Sequence, residues 1–154
     1  MAMDSGIRVE IQGLAGIQIM LGKLDDPNAK KMLRKAIRAG AGVVKEALVA
    51  EAPYPDLKRA VWARTARKGQ LGYVIGHHKR NGGFIWHMVA GGTKAHGPRK
   101  APWIVFRSKS GAQVVTSRVR GVPANPFIAR AYARSEAAAM AKVSQVIDQY
   151  LESL

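Results

Sequence analysis

The sequence predicts an α+β fold: a four-stranded, mostly antiparallel sheet with a long helix and a C-terminal helix packed on one face, preceded by a short strand and helix. Three observations lead there. Two long stretches, Asn28–Glu51 and Pro126–Leu151, carry apolar residues at helical spacing. Between them lie short runs rich in β-branched and aromatic residues, separated by glycine-bearing turns. The chain has 154 residues, 47% of them apolar, which suits a single domain, 1–154, with no surplus for a second.

At the start, Ile7, Val9 and Ile11 alternate with Arg8 and Glu10, the period of a half-buried strand, and Gly13 ends it. Leu14, Ile17, Leu21 and Leu24 then form one helical stripe. Asp25-Asp26-Pro27 breaks that helix and opens the next, with Asp26 as cap and Pro27 at the first helical position. In Asn28–Glu51 the core face is Leu33, Ala36, Ile37, Ala41, Val44, Ala47 and Leu48, while Lys30, Lys31, Arg34, Lys35 and Arg38 load the other side. Gly40 and Gly42 cost this helix about 1 kcal/mol each relative to alanine, so close packing against a neighbouring element is expected there. Pro53 and Pro55 end it.

In the middle, Leu71–Gly76 and Phe84–Ala90 flank the turn signal Asn81-Gly82-Gly83 and predict a hairpin. Trp103–Phe106 and Ala112–Thr116 flank Ser108-Lys109-Ser110-Gly111 and predict a second. The last helix opens at Pro126, with a stripe of Ile128, Tyr132, Ala139, Val143, Val146, Ile147, Tyr150 and Leu154.

The net charge is +15, and its distribution is uneven. From Leu57 to Ser135, 79 residues, there are 16 basic residues and no acidic one; the remainder holds 9 basic and 10 acidic residues. Such a field attracts duplex DNA, RNA or an acidic protein face, and its self-repulsion is costly unless a partner neutralises it. A solvated surface that only aids solubility is the plainer alternative. The loop Lys94–Lys100, with three cations and His96 beside glycine and proline, has a composition suited to phosphate or an acidic partner, or to an ordinary exposed connector. The candidate contacts are Lys79, Arg80, Lys94, Arg99, Lys100, Arg118 and Arg120. Trp86 and Trp103 sit in apolar runs, so a place in the core or a subunit interface is expected for them in preference to base stacking.

Nothing points to an enzyme, a cofactor or a metal. There is no cysteine, and His77, His78, His87 and His96 all fall in the acid-free segment, away from any carboxylate in sequence. Adjacent side chains such as His77 and His78 point to opposite faces of a strand and rarely chelate one ion. Gly91–Pro98 resembles a phosphate loop only superficially, because Gly97 is followed by Pro98 and Arg99 where Lys-Ser/Thr is required. Asp25-Asp26, the one adjacent acidic pair, is accounted for as a helix start. The first residues, MAMDSGIRVE, lack a cationic start followed by an apolar stretch, and no window is apolar enough to span a bilayer, so neither export nor membrane insertion is expected.

Several segments together resemble the neck or tail-completion family of long-tailed double-stranded DNA phages, to which the lambda tail-completion protein is thought to be distantly related. They are the opening strand with Gly13-Leu14, the helix with Ala36, Gly40 and Val44 closing at Ala52-Pro53, the run Phe84–Thr93 into a Gly-Thr turn, and Pro123–Ala131 with its Pro-Phe element. The chain departs from the family at Pro55-Asp56-Leu57, where Thr-Gly and a leucine are common, and at Ala90-Gly91, where an acidic-aromatic pair is usual. The resemblance implies a structural virion protein, assembled in the host cytoplasm, that forms a homo-oligomeric ring, six-fold in expectation, between the head-closure (connector) protein and the tail terminator or tail tube. Genomic DNA passing through the channel would be a further partner. Phe127, in the Pro-Phe element, joins Trp86 and Trp103 as a candidate for the subunit interface. A tail terminator capping the tube and a stand-alone basic nucleic-acid-binding domain are the alternatives.

Overall fold

The computed structural model describes residues 7–9, 27–67, 72–78, 85–98, 102–108 and 110–153. In chain order the elements are β1 (Ile7–Val9), α1 (Pro27–Glu51), α2 (Pro55–Ala60), β2 (Val61–Thr65), β3 (Tyr73–His77), α3 (Trp86–Gly91), β4 (Ile104–Arg107), β5 (Gln113–Thr116) and α4 (Phe127–Leu151). The chain is α+β with long helices and two small antiparallel sheets. It divides into two compact units, Met1–Phe84 with Phe127–Leu154, and Ile85–Pro126.

In the first unit α1 begins at Pro27, as the fixed φ and missing N–H of proline favour. Its predicted core face is buried at Leu33, Ala36, Ile37, Ala41, Val44 and Leu48, joined by Ala29, Met32 and Gly40, while Lys30, Lys31, Arg34, Lys35 and Arg38 are exposed. Against it lies α4, buried along the strict four-residue row Phe127, Ala131, Ser135, Ala139, Val143. Rows at this spacing are the ridges that interlock when helices pack. The predicted stripe shares only Ala139 and Val143 with that row; Tyr132 is exposed, and Leu154 lies outside the described residues. The bulky residues do not set this contact because small ones let the helices approach closely. A Cβ on Gly40 would stand 2.6 Å from Val143 Cγ2 and 3.1 Å from the Ala139 carbonyl oxygen. A Cβ on Gly42 would meet no atom within 4 Å, so the close-packing expectation holds for Gly40 alone. The buried Ser135 hydroxyl donates to the Ala131 carbonyl, 2.8 Å away, one turn back.

The expected single four-stranded sheet is not what forms. In the first unit β3 is central, antiparallel to β1 (Ile7↔Ile75) and to β2 (Ala63↔Ile75). Its partner is therefore β2, a strand not expected from the sequence, and not Phe84–Ala90. The latter segment is helical from Trp86 to Gly91: Trp86 and Val89, three apart, share the buried side. A short continuous apolar run fits a buried helix turn as well as a strand, and here spacing of three won. Pro53 follows the end of α1, and Pro55 starts α2, with Tyr54 extended ahead of it and Leu57 fully buried. Helix α1 packs on β2 and β3, whose Val61 and Ile75 are buried. On the other sheet face Trp62 lies over Gly76, where a Cβ would meet its ring at 2.8 Å, and the Arg64 guanidinium stacks 4.4 Å from the Trp62 ring centroid.

The expected first-helix stripe Leu14–Leu24, the cap Asp26 and the turn Asn81-Gly82-Gly83 lie outside the described residues. Among the described residues no helix is long and apolar enough to cross a membrane.

Candidate interaction surface

In the second unit the chain from Thr93 to Val122 folds back on itself as nested antiparallel pairings around one turn. Helix α3 ends at Gly92, whose φ of 72° is open to glycine, and a Cβ there would lie 2.7 Å from the Ala124 nitrogen. Thr93 N–H donates to the Val122 carbonyl at 2.8 Å, and Val122 N–H donates back to the Thr93 carbonyl and to Thr93 Oγ1, both at 3.1 Å. Three residues on, His96 and Val119 exchange the same pair of bonds at 3.1 and 2.9 Å. A regular ladder would repeat such a pair after two residues, so each side carries one additional residue here. Gly121 makes room: a Cβ would run into the Thr93 carbonyl oxygen and lie 2.8 Å from the Ala95 nitrogen.

Nested inside this base, β4 and β5 pair from Ile104↔Thr116 to Arg107↔Gln113, in agreement with the predicted second hairpin. At the tip Ser108 N–H donates to the Ala112 carbonyl at 2.8 Å, and Gly111 N–H to the Ser108 carbonyl at 2.9 Å. Gly111 takes a φ of 83°, the left-handed residue that closes a three-residue hairpin loop.

The register puts Val105 opposite Val115 and Arg107 opposite Gln113, so these share one face with Trp103 in line. That face is open: Trp103, Val105 and Val115 each expose 56% of their surface, and Phe106 on the reverse side is exposed too. A lone two-stranded hairpin is marginal in water, and apolar side chains grouped on an open face make this ribbon a candidate interaction surface. The field around them is of one sign. Residues Ile85–Pro126 include seven Lys+Arg and no Asp or Glu, and Lys94, Arg107, Arg118 and Arg120 are exposed.

Of the sequence-derived candidates, Lys94, Arg118 and Arg120 come together on the two paired segments at the ribbon base. Trp103 is open to a partner, whereas Trp86 and Phe127 are buried within the chain, 4% and 0% exposed, and present no surface to a neighbour. Burial of Trp86 follows from the helical spacing of α3, and burial of Phe127 from its place at the head of the α4 packing row. Lys79, Arg80, Arg99 and Lys100 lie outside the described residues. Val105, Val115 and Arg107 are additions. Their apolar and basic character was visible, but an unbroken apolar run such as Trp103–Phe106 does not say which face will be left open.

A second exposed surface belongs to α4. Tyr132, Glu136, Met140, Ser144 and Asp148 form a four-residue row that Glu152 continues just past the helix end, and all are exposed. Alongside runs a row of exposed alanines, Ala129, Ala133, Ala137 and Ala141. The cations of this helix stand on a different row, Arg130, Arg134 and Lys142; the first two bind Glu51 and the third donates to Gln145 at 3.0 Å. Tyr132 donates to Glu136 at 3.2 Å, and the charge of Glu136, then that hydrogen bond, holds the phenol above its ordinary pKa. Among the described residues no group of three His, Asp or Glu side chains is arranged to hold a metal ion. Comparison with protein-family models, with curated proteins and with solved structures returns no match.

Proposed function

We propose that the chain is a structural ring subunit at the head–tail junction of a long-tailed phage, joining a head-closure protein to a tail terminator or tube, with its basic region turned to DNA or to an acidic partner ring. The observation that carries this reading is the β4–β5 ribbon: open apolar side chains on a unit with no acidic residue, a combination suited to assembly with an acidic or polyanionic partner. Two of the segments behind the family resemblance support it by having structural work to do. Thr93 of the Gly-Thr turn closes the ribbon base, and Phe127 of the Pro-Phe element heads the packed row of α4. The test is the oligomeric state of the purified chain by light scattering, together with its binding to isolated tails and connector proteins. A discrete oligomer or addition to tails supports the reading; a chain that stays monomeric and joins neither overturns it.

The gathering of Lys94, Arg118 and Arg120 favours a second reading, a nucleic-acid-binding domain acting alone. It requires binding of duplex DNA by the free chain that weakens steeply as salt rises, and absence of such binding removes it.

A further inference from the structure

We infer that the open face of the β4–β5 ribbon docks on the outer row of α4 of a second copy of this chain, a head-to-tail contact that rests on the ring reading and names its two faces. The ribbon cannot pair with another ribbon at little cost, because the unit that carries it has cations and no carboxylate. It needs a partner surface that is acidic and apolar together, and α4 presents one on the same chain.

The two patterns match in sign and spacing. On the ribbon, Val105 and Val115 stand side by side, with Arg107 two strand residues, about 7 Å, to one side. Toward the ribbon base Trp103 continues the same face, two residues, about 7 Å, from Val105. On α4, Met140 has Glu136 about 6 Å away on one side and Asp148 about 12 Å away on the other. A basic and apolar face with one cation thus meets an acidic and apolar row, and Asp148 adds a further negative charge about 12 Å from Met140. In this register the valine pair sits on Met140 and Arg107 meets Glu136. Trp103 then falls toward Ser144 and over the alanine row, whose short side chains let an indole lie close to the helix. The cations of α4 stand on another row, Arg130 and Arg134 held by Glu51 and Lys142 bonded to Gln145.

Each copy carries one ribbon and one α4 row, so the contact is heterologous, and in the ring reading the rotation that relates successive copies closes. Its small size makes a single contact weak, and closure, which gives every copy two contacts, strengthens it.

Sedimentation velocity of the full chain over a wide concentration range, at low and high salt, tests the contact. The wild-type chain should self-associate reversibly and less strongly in high salt. Arg107→Glu and Glu136→Lys should each weaken association by about tenfold or more, and the double variant, which restores opposite charges, should recover most of it. Both positions are exposed, so circular dichroism should be unchanged. Trp103→Ala should weaken association at every salt concentration. A wild-type chain that remains monomeric throughout, single variants that associate like wild type, or a double variant no better than the singles would overturn the contact. A discrete oligomer insensitive to all these changes, or addition to tails without self-association, would leave the ring reading standing while removing this interface.

Discussion

Gly40 of α1 stands against Val143 of α4 so closely that a methyl group on Gly40 would fall 2.6 Å from Val143 Cγ2. The pair marks the crossing of the two long helices, and the absence of a side chain on one sets how near the other can come. Gly40→Ala should therefore lower stability, by about 1–3 kcal/mol, although alanine is the better helix former. Gly42→Ala meets open space and should raise stability by up to about 1 kcal/mol. Chemical denaturation of the two variants side by side checks the opposite signs.

Glu51, the last residue of α1, accepts from Arg130 Nε at 3.0 Å and from Arg134 Nη1, two residues one turn apart on α4. The carboxylate is largely covered and the arginines are not. Replacing Glu51 by glutamine should cost about 1 kcal/mol, with less effect in high salt. A double-mutant cycle with Arg130→Ala, read by thermal unfolding, measures the coupling.

At the ribbon base Gly121→Ala should break the close approach to Thr93 and Ala95. The backbone amides of Thr93, His96, Val119 and Val122, all hydrogen-bonded across this base, should then exchange with solvent much faster, while those of α1 keep their protection. Amide exchange followed by mass spectrometry separates this local loss from general unfolding.

How much of this was legible in the sequence differs by element, for physical reasons. Helix α1 and the β4–β5 hairpin were readable because period and turn chemistry agree locally: Pro27 at the start, the Leu33–Leu48 face, and Gly111 at the one position of its turn that needs positive φ. Trp86–Gly91 misled because a short, mostly apolar run fits a strand and a buried helix turn equally, and only contacts distant in sequence decide. The α4 stripe misled because Gly40 on another helix, and not bulk on α4, selects which row is buried. For the site, the acid-free run set its charge, and Lys94, Arg118 and Arg120 do gather at the ribbon base. Which apolar residues stay uncovered depends on what the rest of the chain leaves bare, and no local pattern encodes that.

Tyr132 should titrate above its ordinary value, near 10, because ionising it would place a phenolate beside the Glu136 carboxylate. A raised value means that the native state favours the neutral phenol. The associated stabilisation is present below the ordinary phenol range and fades as pH climbs through the native value. Glu136→Gln should bring the titration back down. Ultraviolet difference spectra near the phenolate band, with Tyr132→Phe to assign the signal, follow it.

If the ribbon base touches phosphate, neutralising Lys94, Arg118 and Arg120 together should weaken duplex DNA binding and flatten its salt dependence by about 0.9 log units per contact removed. Fluorescence anisotropy at a series of salt concentrations reads both. An unchanged slope would direct this surface to an acidic protein instead.

The central claim, that the chain is a ring subunit between head and tail, is tested most directly by electron microscopy of intact particles that contain it. The expected result is density for several copies in a closed ring on the particle axis at the head–tail junction, each fitted by the two long helices of the first unit. Particles in which the chain is absent from that junction, or present there as isolated copies with no ring, would contradict it.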